Sequence, residues 1–388
     1  MAKPEATEER PEPLRLRQAL RYFVGLGTCG FGGPIASVGY MQRDLVEKRG
    51  WLDRQDFLDG VALGQTMPGP LAAQVSMWVG YLTSGAVGAA AVAAAFILPS
   101  FLFVLGVAFL YVRYEGLSVL QSLFYGVAPA VMAIIAMAAI KLSRLTNRKD
   151  RRLWAITAVV GVVTAVTGAE VALLFVAAGF VMVLWDAPPA SLRRSSSLIL
   201  GLPAPAAATF SALSASGGTI IALGLFFLKS GAFIFGSGLA IVPFLREGVV
   251  HQHHWLSERQ FLDAVAMGLL TPGPVVITAT FIGYLVGGLA GAVVATVAIF
   301  TPIYLGVVVP GRWFVRHRTD AWVKAFVSGA TAAAAGAIGG ATVVLTRQAV
   351  TDVATAAIAL VALVALWRFK AKEPLLVLAA GVAGLLLH

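Results

Sequence analysis

Two apolar stretches of this chain are interrupted by the same tripeptide, Pro-Gly-Pro. The segments "TMPGPL" (66–71) and "LTPGPV" (270–275) each place it inside a run that otherwise resembles a membrane helix. Proline removes a backbone donor and clashes with the preceding turn, so a helix interior excludes it. The fold must therefore accommodate two helix breaks of one kind.

The residues around these breaks are too apolar for a water-soluble domain. Hydrophobic residues make up 59% of the 388 residues and charged residues only 12%, whereas a soluble domain has about 25% charged residues. Runs 86–110 and 286–309 carry no charge and exceed the roughly 20 residues that cross a bilayer. We expect an all-α polytopic (multi-pass) protein of the cytoplasmic (inner) membrane. The net charge of +10 fits basic cytoplasmic loops facing anionic lipid better than nucleic-acid binding.

The apolar segments fall into two series of about five to six each, which gives a domain division. Residues 1–14 are expected to be a disordered tail on the cytoplasmic side, 15–186 the first repeat, 187–217 a polar linker, and 218–388 the second repeat. The first series lies near 16–40, 56–82, 85–112, 117–142, 152–168 and 169–186. The second lies near 218–245, 260–285, 287–310, 321–346, 351–367 and 374–388.

The two series are copies of one another. Pairs at a spacing of 204 residues are Gly27 and Gly231, Phe31 and Phe235, Gly32 and Gly236, Trp51 and Trp255, Asp59 and Asp263, Gly64 and Gly268, and the two Pro-Gly-Pro tripeptides. After one deletion the spacing becomes 203, which pairs Gly80 with Gly283 and Pro99 with Pro302. Repeats that carry matched Gly/Pro-interrupted segments are typical of secondary transporters.

Loop charge indicates that the repeats are inverted. The basic loop of the first repeat is "KLSRLTNRKDRR" (141–152), whereas the second repeat has its basic loop earlier, "GRWFVRHRTDAWVK" (311–324). Lys and Arg stay on the cytoplasmic side, so this exchange predicts opposite orientations. Inversion needs an odd number of crossings per repeat, and the sequence leaves ten or twelve helices open.

The first Pro-Gly-Pro break should end one short helix and begin another. Asp53 can cap a helix that starts at Arg54, and Ser257 with Gln260 forms a capping box in the copy. The helix to Met67 is about 21 Å long, too short to cross. Pro70 suits the first position of a new helix.

The new helices would begin with unpaired amides, which lipid cannot satisfy. These are the N–H groups of Leu71, Ala72, Ala73, Val275, Val276 and Ile277. The segment "GFGGPIAS" repeats the device, with a break at Gly32–Gly33 and Pro34 opening a helix; in "IFGSGLA", Gly238 replaces the proline. Four converging helix N-termini would supply about two positive charges, which suits a tetrahedral dianion. The alternative is that Pro-Gly-Pro kinks a helix for packing only.

Charged residues within the apolar runs are further candidates. Lys229 and Arg21 are functional candidates as intramembrane cations, and snorkelling to the interface is the alternative for both. Asp59 and Asp263 could carry a coupling proton, or could merely complement the helix dipole near the start of their helices.

Polar residues beside the breaks could bind an oxyanion or simply pack between helices. They are Gln65, Gln74, Ser76, Thr271 and Thr278. The motif "GLGTCG" (25–30) lacks the strand that dinucleotide binding requires. "HQHH" (251–254) lacks clear metal-site spacing. We therefore expect neither a cofactor nor a metal. No H-E-x-x-H or G-x-S-x-G motif indicates an enzyme.

The motifs "FGGPIASVGYM", "WLDRQDFLDGVALGQTMPGP", "VGYLTSGAVGA" and "LPSF" resemble the chromate ion transporter (CHR) family, in its long two-domain form. The resemblance implies chromate export from the cytoplasm and chromate resistance, with sulfate as a related anion, and two repeats of opposite orientation. Ser237 and Gly238 depart from the FGGP pattern. The positions that carry the motifs are Phe31, Gly32, Gly33, Pro34, Pro68, Gly69, Pro70, Phe235, Gly236, Pro272, Gly273 and Pro274.

These observations favour a secondary transporter that moves chromate through a midplane site between the repeats by alternating access. A transporter of sulfate or another oxyanion with the same fold is the alternative, and a passive channel would need a ring of charges or carbonyls that the sequence lacks. The coupling ion, the direction of transport and the oligomeric state, including a homodimer, stay open.

Overall fold

Both repeats consist of short helices and a few long ones. The computed structural model describes residues 14–30, 33–114, 118–167, 172–187, 218–234, 238–317 and 320–387, and this part of the chain contains no strand. In the first repeat the helices are α1 (Leu16–Cys29), α2 (Gly33–Met41, continued by a π-helical segment Gln42–Lys48), α3 (Arg54–Thr66), α4 (Leu71–Tyr114), α5 (Ser118–Asn147), α6 (Arg151–Thr167) and α7 (Ala172–Asp186).

The second repeat follows the same order, with one additional short helix, α12. Its helices are α8 (Thr219–Ala232), a 3₁₀ turn (Gly238–Ala240), α9 (Ile241–Arg246, continued by a π-helical segment Glu247–Gln252), α10 (Glu258–Leu270), a 3₁₀ turn (Val275–Ile277), α11 (Thr278–Val308), α12 (Gly311–His317), α13 (Ala321–Ala349), α14 (Val353–Phe369) and α15 (Glu373–Leu387). Four of the described helices, α4, α5, α11 and α13, are long and apolar enough to cross a membrane. The prediction of an all-α polytopic membrane protein is confirmed.

The chain turns back at the first Pro-Gly-Pro instead of continuing across the membrane. The indole Nε1 of Trp78 donates to the carbonyl of Asp56 over 2.9 Å, and a Cβ at Gly64 would lie 2.8 Å from Leu71. Residues near the start of α3 therefore contact α4 farther from its start, and residues near the end of α3 contact the start of α4. The two segments run antiparallel. The predicted segment 56–82 is in fact two antiparallel half-helices joined by the tripeptide.

A second reversal lies inside α4. A straight helix of 44 residues would be about 66 Å long, roughly twice the thickness of the bilayer core. Ser84 (φ −150°) and Gly85 (φ +61°) interrupt it, and Gly80 and Gly88 then touch backbone to backbone. Gly287 and Gly288 do the same in α11. The crossing parts are therefore residues 86–114 of α4 and 289–308 of α11.

These two crossing helices are antiparallel neighbours. The hydroxyl of Tyr304, near the end of α11, donates to the carbonyl of Ala86, at the start of the crossing part of α4. Leu289 corresponds to Ala86 in the repeat alignment, and it lies about four helical turns before Tyr304 on α11. In parallel helices related by a two-fold axis, matched residues would lie at the same height. The reversed order is the relation expected of inverted repeats.

Later helices of each repeat pack against helices of the other repeat. Helix α5 packs on α15 where Gly126 meets Gly384, and α13 packs on α6 where Gly161 meets Gly336. Glycines at these crossings let backbones approach closely, as is usual between membrane helices. The two repeats therefore share one packed interior. The predicted tail (1–14) and linker (187–217) fall almost wholly outside the described residues, and the domain boundaries stay predictions.

Candidate functional site

Both Pro-Gly-Pro turns depend on their central glycine. Gly69 has φ +144° and Gly273 has φ +103°, a region that a Cβ makes costly. The predicted caps are confirmed: Asp53 accepts from the amides of Gln55 and Asp56, and Ser257 forms the capping box with Gln260. The sequence thus specifies where each half-helix begins and where the chain turns.

Among the described residues, each turn has two amides without an acceptor, not the three that we predicted. The amides of Ala73 and Ile277 donate to the carbonyls of Pro70 and Pro274, because the first turn after each break is tightened. Both prolines therefore precede their helices as N-cap residues instead of occupying the first helical position. Four N–H groups have no acceptor within the described part of the chain, those of Leu71, Ala72, Val275 and Val276.

The breaks of the two repeats lie together. The amide of Gly69 donates to the carbonyl of Ile234 over 2.6 Å. A Cβ at Gly238 would lie 3.6 Å from the Cβ of Val275 and 4.0 Å from the Cβ of Pro70. The structure thus brings the first Pro-Gly-Pro turn, the second Pro-Gly-Pro turn and the glycine break after α8 into one cluster.

Each turn is also held by the crossing helix of the opposite repeat. The hydroxyl of Ser100 donates to the carbonyl of Pro272 over 2.5 Å, and the matched residue Ile303 would lie 3.0 Å from a Cβ at Gly69. Ser100 was not among the predicted site residues. The signal that could have found it is the proline before it, Pro99, which matches Pro302 in the repeat alignment.

Gln74 is the predicted polar residue that the structure ties most directly to a break. Its amide nitrogen donates to the carbonyls of Met67 and Pro68, over 3.2 and 3.0 Å. It therefore caps the end of α3 across the turn. Its own carbonyl oxygen is fully buried and has no partner within the described residues.

The other polar candidates have local roles. The hydroxyls of Ser76, Thr271 and Thr278 donate to carbonyls within their own turns, of Ala73, Gly268 and Val275. A hydroxyl hydrogen used in this way is not offered to an anion. Gln65 is exposed on α3. The three hydroxyls fit the packing interpretation, and oxyanion binding at these four positions stays a prediction.

The predicted motif residues before α2 and α9 are only partly described. Gly33 and Pro34 open α2, as expected. Phe31, Gly32, Phe235, Gly236 and Ser237 lie outside the described residues.

The candidate cations lie on α8 and α1. The ammonium group of Lys229 lies 5.4 Å above the ring of Phe244, between α8 and α9. Arg21 is exposed on α1.

The two matched aspartates differ in environment. Asp263 is 3% exposed and accepts a 2.8 Å hydrogen bond from the hydroxyl of Tyr111 in α4. Asp59 is half-buried and accepts from Gln55, one turn earlier on its own helix. Of the two, Asp263 is the buried one, and its partner Tyr111 lies in the other repeat.

No group of three His, Cys, Asp or Glu side chains that could hold a metal occurs among the described residues. The His253 ring stacks on Trp255 at 4.2 Å, and His251 lies 3.4 Å from Glu258.

Comparison with known proteins identifies the family. The chromate transporter family matches residues 17–184 and again 221–385. The chain belongs to the chromate transporter family. The chromate transport protein of Cupriavidus metallidurans is 49% identical over 96% of this chain and 93% of its own length. A probable chromate transport protein of Synechococcus elongatus is 46% identical over 96% and 95%. The chromate transport protein of Pseudomonas aeruginosa is 29% identical over 97% and 94%. No solved structure matches this chromate transporter family member.

Proposed function

We propose that this protein exports chromate across the cytoplasmic membrane and so confers chromate resistance, with its N-terminus in the cytoplasm. The observation that carries the proposal is the cluster of Pro70, Gly238 and Val275, in which helix breaks of both repeats come within van der Waals distance. Free amides at such helix starts favour a negative charge. Family membership supports chromate transport as the activity.

The mechanism that we propose is alternating access. Ser100 donates and Ile234 accepts a hydrogen bond with the Pro-Gly-Pro turn of the opposite repeat. A rotation of one repeat against the other would therefore move both turns of the cluster. Inverted repeats that rock about a central site are the usual basis of such transport. Asp263 would carry the coupling proton, because it is the buried member of the aspartate pair.

The proposal is tested by chromate accumulation in cells that carry the protein. Cells with the wild type should accumulate less chromate than empty-vector cells. Pro68→Ala and Gly273→Leu should restore accumulation, because they remove the turns. Gly106→Leu is the matched control, since a Cβ there meets open space. Accumulation equal to the empty vector, with no difference among the variants, would reject chromate export.

The alternative substrate is sulfate or another tetrahedral oxyanion. Backbone amides recognise charge and shape and do not distinguish a chromium from a sulfur centre. Competition by unlabelled sulfate, measured against chromate flux, separates the two. Inhibition at concentrations similar to those of chromate itself would favour a general oxyanion transporter.

A further inference from the structure

The two repeats differ in the space between their first two helices. In the first repeat a solvent-facing cavity of about 720 Å³ lies between α1 and the α2–π segment. That volume is within the usual range for small-molecule sites. The cavity reaches Cys29 and Gly30 at the end of α1, immediately before the first glycine break. We call it the first-repeat cavity.

The first-repeat cavity is cationic. Arg21, Arg43 and Arg49 line it, with Asp44 as the acidic member. Asp44 is already paired with Arg43 at 3.0 Å. Arg49 lies over the Trp51 ring at 4.4 Å, and Arg21 makes no ion pair within the described part of the chain. Two cationic charges therefore remain to attract an anion into the cavity.

A buried hydroxyl also faces this space. Tyr22 lines the cavity, and its hydroxyl lies near the Asp44 carboxylate but makes no hydrogen bond of normal geometry with a described residue. A buried hydroxyl without a partner costs free energy. An anion or its water shell in the cavity could accept from it.

The matching cleft of the second repeat, between α8 and the α9–π segment, is filled. Tyr22, Gly25 and Tyr40 correspond to Phe226, Lys229 and Phe244 at the spacing of 204. Phe226 stacks on Phe244 at 5.9 Å, and Lys229 covers Phe244. A Cβ at Gly25, by contrast, meets nothing within 4 Å.

The charges of the second-repeat cleft differ as well. Arg21, Arg43 and Arg49 correspond to Leu225, Glu247 and His253. Burial and the nearby Lys229 lower the pKa of His253, so the imidazole is neutral near pH 7. This cleft thus offers a dianion neither room nor the same attraction.

We infer that the first-repeat cavity is the cytoplasmic vestibule for the transported oxyanion, with Arg21, Arg43 and Arg49 drawing it toward the helix breaks, and that the filled second-repeat cleft is the closed opposite side. The inference rests on the proposed function. Because the repeats are inverted, one open and one closed cleft correspond to access from a single side of the membrane. The basic residues of the first cleft assign that side to the cytoplasm.

Cys29 provides the test, because it is the only cysteine of the chain and it lines the cavity. Its reaction is measured with two methanethiosulfonates, sulfonatoethyl (anionic) and trimethylammonium-ethyl (cationic), in inverted and right-side-out vesicles. We expect reaction only in inverted vesicles and a preference for the anionic reagent. Each Arg→Gln change at 21, 43 or 49 should slow the anionic reagent by up to roughly fivefold and speed the cationic reagent by a similar factor, the effect of a unit charge about 4 Å away in water.

Arg54→Gln is the matched control, because Arg54 is an exposed cation of α3 outside the cavity. It should leave the preference unchanged. Sulfate, which unlike chromate does not oxidise thiols, should slow the labelling. In a second variant, Gly25→Phe should close the cavity, slowing both reagents and chromate flux, whereas Gly106→Phe should not.

The results separate the vestibule from the transport proposal. Equal labelling of Cys29 from both sides, or no preference for the anionic reagent, overturns the vestibule even if chromate is exported. Anion-selective labelling from the cytoplasmic side, protected by sulfate, supports the vestibule even if chromate flux is absent, in which case chromate export is the proposal that fails.

Discussion

The amide of Gly69 donates a 2.6 Å hydrogen bond to the carbonyl of Ile234, and so joins the Pro-Gly-Pro turn of one repeat to the end of α8 in the other. The donor of this bond is the amide of Gly69 itself, the residue whose φ is +144°. The unusual backbone conformation therefore serves two purposes: it reverses the chain and it aims an amide at the opposite repeat. Changes at the turn should act on both repeats together.

The first prediction concerns the two turn glycines. Gly69→Ala and Gly273→Ala should each cost about 1–2 kcal/mol, because alanine is strained at positive φ. A Cβ at Gly273 would also collide with Ser100. We expect a lower melting temperature in detergent and a strongly reduced chromate flux.

The control for the turn glycines is Gly106→Ala. Gly106 lies within α4 with open space beside it, so alanine should be neutral or stabilising by up to about 1 kcal/mol through helix propensity. If Gly273→Ala melted and transported like Gly106→Ala, the turn would not need its glycine.

A second prediction concerns Ser100. Ser100→Ala removes the hydrogen bond to Pro272 and leaves a buried carbonyl without that donor, at a cost of about 1–3 kcal/mol. The second Pro-Gly-Pro turn should loosen, so chromate affinity should fall together with the melting temperature. Thr301→Val is the control, since the Thr301 hydroxyl is bonded to Val297 of its own helix and is exposed. Equal effects from the two variants would contradict a special role for Ser100.

Much of the fold follows from the sequence, but the reversals do not. The caps at Asp53 and Ser257, the helix starts after Pro70 and Pro274, and the repeat pairing are local properties that residue types encode. The boundary at Gly85 was predicted, because the segments 56–82 and 85–112 are separated there. The reversal at Pro-Gly-Pro was not, because the predicted segment 56–82 continues through the tripeptide. Periodicity reports burial within a helix and carries no information on the direction of the next one.

Within the site, sequence reasoning identified the turns but not their partners. The bond from Gly69 to Ile234 and the bond from Ser100 to Pro272 join residues far apart in the chain. Such pairings depend on how the repeats pack, which no local pattern specifies. The sequence has Gly25 in the first cleft and Lys229 at the matched position of the second. Only the packing of Phe226 on Phe244 in the structure shows that the second cleft is filled while the first is open.

A third prediction distinguishes the two matched aspartates. Asp263→Asn preserves shape and cannot ionise, so chromate flux driven by a pH gradient should be lost. Asp59→Asn should retain it, because Asp59 is half-buried and accepts a hydrogen bond from Gln55 of its own helix. Tyr111→Phe, which removes the hydrogen bond to Asp263, should shift the pH profile of flux. The measurement is flux in vesicles at several imposed pH gradients. A pH-driven flux that survives Asp263→Asn would exclude this residue as the coupling group.

The last prediction concerns a bond from α5 of the first repeat to Asp352, which lies between α13 and α14 of the second repeat. The hydroxyl of Tyr125 in α5 donates to Asp352, the N-cap of α14, over 2.6 Å. This bond, with the amide of Thr355, lowers the pKa of Asp352 from 3.8 to about 2. A lowered pKa means that the charged carboxylate stabilises the fold: the contribution is complete above about pH 4 and is lost as the pH falls toward 2.

Tyr125→Phe should therefore lower the melting temperature by an amount that stays constant from about pH 7 to 5 and shrinks below about pH 4. The effect should be small, since Asp352 is exposed and water competes for its oxygens. Tyr114→Phe is the matched control, because the Tyr114 hydroxyl is exposed and makes no hydrogen bond within the described part of the chain. Melting curves of the three proteins across this range decide the matter: a Tyr125→Phe deficit that persists unchanged at low pH would have to come from packing, since the charge of Asp352 could not account for it.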